Sequence, residues 1–533
     1  MTRWAKAPQS RDQLLLIAER LDDALPPDHS VRLLDEILGR LDWSAWEAAY
    51  HERLGQPAIH PRVMASVLLY GLLTRLRSSR ALEEALVVRM DFRWLVEGRT
   101  IDFTTLSEFR RRHADALKDL FVQVCQLARQ LGLVQLQRLG FDGTRVRANN
   151  RRSGTRTVAE LRQERAELAA RFEEYQKQAD AEDAQDEEVF GLRSSHALPQ
   201  ELRDQQDRLK KLDAAIEALG QAEEEGRRVP KRVPITDLES RVMPNKDGGH
   251  APNYTPTAMV DLDSGFIVGA DVLPVVNEDP YMVPAYEEVQ RQFALPSPPE
   301  LMADGLMGTG ANLAACEERK IDFYSPCPLP DPATNPALRD DPTQPVGEGD
   351  WDRLPTHRAK VQGKTVQQLD KSAFVYDEAR DCYWCAMGKP LTYSCTTSEA
   401  SGTGRRVRAR YQAAAGDCET CPLRGRCVQG QARSRQINRE QYEAHRERHA
   451  RHMARPESQA KYALRRHAGE RPFAVIKQHF GLRQFLLRGL ARVQTEWRWA
   501  ATAFNLQRLM SLLRSRDGPG PDPTYLSLQP QPL

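Results

Sequence analysis

Residues 136–146 read Leu-Gln-Arg-Leu-Gly-Phe-Asp-Gly-Thr-Arg-Val, and residues 300–305 read Glu-Leu-Met-Ala-Asp-Gly. In each, an apolar run suited to a strand ends in an aspartate followed by glycine, which relieves the backbone at the turn. An acidic side chain at the C-terminal edge of a strand suits a metal ligand in an α/β site. An ordinary Asp-Gly turn explains either instance alone. Two in one sheet, Asp142 and Asp304, weaken that explanation.

Working outward, residues 12 to about 134 have helical periodicity. Leu14, Leu15, Ile17, Ala18 and Leu21 form one apolar stripe, and Val63, Val67, Leu68, Leu72 and Leu73 form another. The stretch SSRALEEALVVRMDFRWLVEG gives a helix pair, and Thr105-Leu-Ser-Glu108 reads as a capping box. Arg75, Arg77, Arg80, Arg110, Arg111 and Arg112, read as exposed, fit either a helix-turn-helix-like DNA reader or a plain helical bundle.

Downstream, SGTRT is a linker, and Val158 to Gly226 is charged and helical. There Leu202, Leu209 and Ile216 recur every seven residues, with Leu212 and Leu219 on the neighbouring seam, as in an antiparallel hairpin or coiled-coil arm. Strand signals resume at Tyr254, and Thr257–Leu262, Asp263-Ser264-Gly265 and Phe266–Leu273 form a hairpin. A helix from Pro284 to Phe293, the strand ending at Asp304, a helix after Gly310 and a strand Ile321–Ser325 complete a mixed α/β sheet. Residues 327–370 are rich in Pro, Asp and Gly and read as a surface loop or insertion. Helix returns from about Arg439 to Arg514, and the tail GPGPDPTYLSLQPQPL reads as disordered.

The net charge of +2 hides segregation. Thr157–Glu225 holds 19 acidic and 9 basic residues, whereas Gln431–Arg508 holds 17 basic and 6 acidic. Arg138–Arg156 holds six arginines and one acid, Asp142. Basic surfaces inside a neutral chain suit a polyanion or are solvated arginine-rich faces; charge alone does not choose. No apolar run of about 18 residues is present, which excludes a helical membrane span, and MTRWAKAPQSRDQ lacks the apolar stretch of a signal peptide, which points to the cytoplasm.

Six of the nine cysteines crowd between Cys382 and Cys427. Cys382-Tyr-Trp-Cys385 and Cys418-Glu-Thr-Cys421 are two CxxC pairs of the kind that bind structural Zn²⁺, with Cys427 able to replace one ligand; reduced structural thiols are the other reading.

A third carboxylate comes from helical spacing. Tyr462, Arg466, Glu470, Phe473 and Lys477 are spaced 4, 4, 3 and 4, along one face that Pro472 interrupts or kinks. Such a face is either a solvated salt-bridge surface or a metal ligand with phosphate-binding neighbours.

The order FDGTRVRAN, an Asp-Gly strand end, then Tyr-x2-Arg-x4-Glu-x6-Lys resembles the bacterial insertion-sequence transposases with a DDE core, most nearly insertion-sequence family 1182. HPRVMASVLLYGLLTRLRSSRALEEAL and TTLSEFRRRH resemble that group's N-terminal domain, and ERPFAVIKQHFGLRQFLLRGLARVQTEWRWAATAFNLQRL resembles its C-terminal signature. The likeness runs from about Leu33 to Leu512.

It implies a ribonuclease-H-like core in which Asp142, Asp304 and Glu470 bind Mg²⁺ or Mn²⁺ and catalyse DNA strand cleavage and transfer. It also implies Tyr462, Arg465 or Arg466, and Lys477 as supporting residues. Arg110, Arg111, Arg145 and Arg147 are further candidates for DNA contact. The implied partners are double-stranded transposon ends and target DNA, bound by a homodimer in the bacterial nucleoid, with no membrane. A transposase-like DNA-binding protein without catalysis is the alternative, and a zinc-dependent regulator built on the cysteine cluster is a second.

The corresponding domains are a helical DNA-binding domain at 1–134, a first core strand at 135–156 and a helical arm at 157–228. Core strands and helices at 229–326, a Cys-rich insertion at 327–430, C-terminal core helices at 431–514 and a tail at 515–533 follow.

Overall fold

The computed structural model describes residues 20–50, 58–150, 155–190, parts of 206–220, 232–245, 248–361, 364–401, 404–465 and 469–516. Leu14–Ala18, Leu202, Arg466 and the tail from Gly518 lie outside them.

The N-terminal part is helical: α1 (Ser30–Gly39), α2 (Ser44–Glu47), α3 (Pro61–Leu73), α4 (Ser79–Val88), α5 (Met90–Leu95), α6 (Phe103–Arg112) and α7 (Ala114–Gln130). The long helices follow their apolar repeats; α7 buries Leu117, Leu120, Phe121, Val124 and Ala128 on one stripe. Helix α6 starts two residues before the expected capping box. Asp102, whose side chain accepts the N–H groups of Thr104 and Thr105, is its cap, because its short carboxylate reaches the orphan donors of the first turn.

The sheet then forms from β1 (Arg138–Gly143) and β2 (Val146–Arg147). The expected linker contributes β3 (Thr155–Arg156), which pairs across the base of the arm with β4 (Val233–Pro234). Between them runs helix α8 (Val158–Phe190). Leu161 on α8 packs with Leu212 and Leu219 of the returning segment, and Arg165–Asp213 (2.8 Å) ties the two together, as a helical hairpin requires.

Strands β5 (Arg241–Pro244), β6 (His250–Asp261) and β7 (Ile267–Leu273) follow, then α9 (Met282–Gln292), β8 (Glu300–Ala303), α10 (Gly310–Glu318) and β9 (Phe323–Tyr324). The path through the sheet is β2-β6-β1-β8-β9, with β5 and β7 also on β6. Strand β6 is antiparallel to β1, whereas β8 is parallel to β1 and β9 is parallel to β8. The mixed α/β sheet expected from the sequence is therefore present.

Residues 327–370, read as a surface loop or insertion, are irregular up to Gly347 and then contain β10 (Thr356–Val361) and β11 (Lys364–Leu369); they bury Ala337, Val346, Leu354 and Leu369 in a second core. That core is completed by β12 (Val375–Asp377), β13 (Cys382–Trp384), β14 (Pro390–Ser401), β15 (Gly404–Ala413), the short helices α11 (Ala415–Glu419) and α12 (Arg424–Cys427), and β16 (Gln436–Glu440). The Pro/Gly-rich composition reflects tight turns between packed pieces rather than a solvated excursion.

The C-terminal part is not one helix. Arg439 lies in β16, and α13 (Glu443–Met453), α14 (Pro456–Ala463), α15 (Arg471–Ala474), a π-helical turn Val475–His479 and α16 (Leu490–Arg516) follow. No helix among the described residues is long and apolar enough to cross a membrane.

A single main core runs from Leu25 to Met510, so helices α1–α7 share their interior with the sheet and α16. The arginines expected to read DNA complete this joint. Arg75 Nε donates to the His479 carbonyl (2.7 Å), and Arg77 donates to the Gly481 and Gln484 carbonyls (2.7 Å each) and pairs with Glu496 (2.8 Å). Arg110 donates to the Arg77 carbonyl (2.8 Å). These forks satisfy carbonyls of the irregular segment before α16, which has no ladder of its own to do so.

Candidate active site

The register of β1 against β8 ends with Phe141 beside Ala303. One residue further brings Asp142 and Asp304 next to each other at the same strand ends. Side chains alternate along a strand, so Asp142 shares the face of Gly140, and Asp304 shares that of Met302 and Glu300. Leu262 packs over Gly140, and Leu262 and Met302 belong to one cluster with Tyr324 and Met453, with Tyr462 packed against it. Both aspartates thus lie on the face covered by α13 and α14.

Each aspartate is held locally. Asp142 Oδ1 accepts its neighbour Gly143 N–H (2.8 Å). Asp304 Oδ1 accepts the N–H groups of Leu306 (2.9 Å) and Met307 (3.3 Å), capping the turn Gly305–Met307. Glycine at 143 has a tertiary reason: a Cβ there would lie 2.9 Å from Glu278 Oε1. Glu278, which no sequence pattern marks, pairs with Arg145 at 3.5 Å. Asp279 beside it is pushed above the usual carboxylate range by burial.

The C-terminal segment meets the same strand ends twice. Lys461 on α14 donates to Glu300 and to the Tyr324 hydroxyl, anchoring the helix across β8 and β9. Arg465, just beyond α14, reaches Asp142 Oδ2 at 3.4 Å. Lys477 donates to Thr144 Oγ1, two residues past Asp142. Glu470 falls between these two anchors. It is exposed and precedes α15 as its N-terminal flanking residue.

The single helical face expected for residues 462–477 does not form. Tyr462 packs inward against the Met302 cluster, and α14 ends at Ala463. A new helix then starts with Pro472 in its first turn, and Phe473 is buried against Trp497 (ring centroids 6.0 Å). Pro472, which has no N–H and clashes with a preceding turn, forces the restart.

Among the described residues, no three His, Cys, Asp or Glu side chains gather closely enough to hold a metal ion. Asp142 and Asp304 supply a pair of neighbouring hard oxygen donors, which fits a divalent cation such as Mg²⁺ in chemistry.

The other expected DNA contacts divide. Arg145 turns inward to Thr255 Oγ1 (2.8 Å), the Val276 carbonyl and Glu278, and Arg110 is likewise engaged inside. Arg111 is exposed, with Nε on the Ser107 carbonyl of its own helix (3.2 Å). Arg147 is exposed and lines an open cavity of about 800 Å³ with Asn150, Arg156, Arg232, His250 and Gln484. Arg466 lies outside the described residues.

The cysteines also regroup. Cys385, Cys418, Cys421 and Cys427 are gathered at the second core, whereas Cys382 is not part of that cluster. Within β13 alternate side chains oppose each other; Tyr383 points into the core, so Cys382 points away.

The sheet thus carries two aspartates at adjacent strand ends, with Arg465 and Lys477 reaching the end of β1. Two family models match the chain. Residues 384–510 match the model described as a transposase DDE domain, and residues 19–112 match the one described as a transposase domain (DUF772). Together the two matches support a transposase. The first contains Glu470 and Lys477 but begins after both aspartates and Cys382. No curated protein matched the chain.

Proposed function

We propose that this chain is an insertion-sequence transposase, akin to insertion-sequence family 1182, with a ribonuclease-H-like core that cuts and rejoins DNA at terminal inverted repeats. The observation that carries the reading is the side-by-side placement of Asp142 and Asp304 on one sheet face, with Arg465 and Lys477 at the same strand ends.

In this reading Asp142 and Asp304 hold the catalytic cation, Mg²⁺ or Mn²⁺, and Glu470 completes the set from the segment that Arg465 and Lys477 anchor. The bound ion supplies charge stabilisation at the scissile phosphate. The chain's own residues position the DNA. Lys477 and Arg465 are cations at the strand ends, suited to phosphate oxygens flanking the cut. Thr144 orients Lys477, and Glu278 holds Arg145 behind the Asp142 turn. Exposed Arg147 and Arg111 are the backbone contacts that remain available. Two ends must be joined in one event, so the working assembly is a homodimer on double-stranded DNA in the bacterial nucleoid.

The test is a labelled duplex carrying the element's own end, incubated with Mg²⁺ and either the natural protein or Glu470→Ala. Site-specific nicking by the natural protein alone supports the reaction and the third carboxylate. The exposed, ungathered position of Glu470 favours one rival, a DNA-binding protein without catalysis. Binding without nicking, in Mg²⁺ and Mn²⁺ alike, selects that rival.

A further inference from the structure

All nine cysteines are free, and four of them meet at the second core. Cys385 opens the turn joining β13 to β14. Its carbonyl accepts the Gly388 N–H (2.9 Å), and its sulfur accepts the N–H of Lys389 (3.3 Å). Gly388 has φ +68°, and a Cβ there would lie 2.0 Å from the Thr343 carbonyl oxygen, so this turn requires glycine.

The other three come from one later segment. Cys418 sits in α11, Cys421 in the following turn and Cys427 in α12. The Arg424 N–H donates to the Cys421 carbonyl (3.0 Å) and its guanidinium to the Cys418 carbonyl (3.1 Å), folding the segment on itself. Lys389 Nζ, 4.0 Å from Asp417, joins the two segments. Cys418 and Cys427 are buried in the second core, with Cys385 and Cys421 packed against it. The four side chains thus share one core.

The Lys389 N–H aimed at the Cys385 sulfur suits a thiolate, because S⁻ is a strong acceptor and S–H a weak one. Such N–H donors are the outer support that metal-bound ligands use. Four adjacent thiolates require a cation, and Zn²⁺ takes four in a closed tetrahedron at about 2.3 Å. The side chains stand as neighbours and not as a finished cage. Side-chain rotation on the two turns is the movement that binding requires.

We propose that Cys385, Cys418, Cys421 and Cys427 bind one structural Zn²⁺. Each thiol releases one proton to solvent as its Zn–S bond forms, with no change of oxidation state. Cys382, opposite Thr392 on the other strand face, and Cys395, at the bulge opposite Arg410, take no part. The centre fastens the β13–β14 turn to the α11–α12 segment. It does not depend on the transposase reading.

The test uses the full chain purified without chelator. Elemental analysis should give about one zinc per chain, as a closed four-thiolate site requires. Alkylation mapped by mass spectrometry should show Cys385, Cys418, Cys421 and Cys427 reacting only after chelation, while Cys382 reacts alike with and without chelator. Replacement by Co²⁺ should give the intense visible bands of tetrahedral thiolate coordination, unchanged in Cys382→Ser and lost in Cys385→Ser. Absence of stoichiometric zinc after reconstitution overturns the proposal. So does chelator-dependent protection that includes Cys382 or omits any of the four. The metal count and alkylation pattern are read on the natural chain, so a misfolded variant does not decide the outcome.

Discussion

Arg465 sets Nη2 3.4 Å from Oδ2 of Asp142, with 11% of the arginine side chain and 18% of the aspartate exposed. One partner follows α14 and the other ends β1, so the pair ties the C-terminal helices to the sheet beside Asp304. A cation bound at Asp142 shares the carboxylate with this guanidinium, and like charges disfavour one another at a common site.

Arg465→Ala is therefore expected to lower the Mg²⁺ concentration giving half-maximal strand cleavage by roughly three- to tenfold, an effect of about 1 kcal/mol at a partly buried site. A metal titration of the nicking reaction checks this. An unchanged or higher Mg²⁺ requirement would show that the guanidinium does not compete with the ion.

Asp142→Asn and Asp304→Asn keep the size of each side chain and remove the charge. Each is expected to cut nicking by roughly 100-fold or more, since charge stabilisation of the reacting phosphate is the larger share of such catalysis. Binding of the transposon end, measured by gel shift without metal, should stay within about threefold, because specific phosphate contacts come from the cations. Equal loss of binding and nicking would place the aspartates in the structure instead of the chemistry.

Two arginines separate structural from DNA-contacting roles. Arg77→Met leaves the Gly481 and Gln484 carbonyls and Glu496 without their donor, at a cost of about 3 kcal/mol. It should lower Tm with little change in DNA affinity. Arg147→Met should leave Tm unaltered, weaken DNA binding and reduce the salt slope by about one. Calorimetry and salt-dependent binding distinguish the two, and a reversed pattern would refute the assignment.

Asn505 lies fully buried on α16, accepting the Ile267 N–H (2.9 Å) and donating to the Ile267 carbonyl (2.7 Å) of β7. Asn505→Ala removes the acceptor that Asn505 gives the Ile267 N–H and leaves the Ile267 carbonyl with the weak Cys125 S–H donor (3.4 Å), and should cost about 1–3 kcal/mol in denaturant unfolding. A loss below about 0.5 kcal/mol would mean that water or a shifted backbone takes over those bonds.

His449 is buried between α13 and β9, with Nε2 3.0 Å from both Ser325 Oγ and the Ser325 carbonyl and its ring stacked on Phe323. Burial holds its pKa below that of a free histidine, with Ser325, His452 and Glu317 also facing it. The unfolded chain therefore takes up a proton at this residue before the folded one does. Stability is full above the unfolded pKa near 6.5 and falls as pH drops through that value toward the folded pKa. His113, also depressed by burial, adds with the same sign. Urea unfolding between pH 7.5 and 5 should show the loss, reduced in His449→Gln; an unaltered pH slope in that variant would clear His449 of the effect.

Much of the site's first half was legible because it is local. LQRLGFDG and ELMADG each carry their strand, their acid and their turn within a few residues, so the sequence placed both aspartates at strand ends. The helix pair at residues 79–95, the β6–β7 hairpin and the α9 and α10 helices were legible for the same reason. The face assumed for Tyr462, Glu470 and Lys477 was not, because spacing presumes an unbroken helix, and Pro472 starts a new one. For residues 327–370 composition reports turns and not what the pieces between them bury, so the second core was not legible.

The sequence by itself determined the N-terminal helices, the two aspartate strand ends, the clustering of cysteines and the segregation of charge, all properties of neighbours along the chain. Only the tertiary structure decided partners distant in sequence. It set Asp142 beside Asp304 through a parallel register, and it brought Arg465 and Lys477 to the same end of β1. It turned Arg77 and Arg110 inward to serve carbonyls, and it packed Cys385, but not Cys382, against the second core. Charge and spacing state what a side chain can bind, whereas register, strand-face alternation and the demand of buried polar groups for partners fix what it does bind.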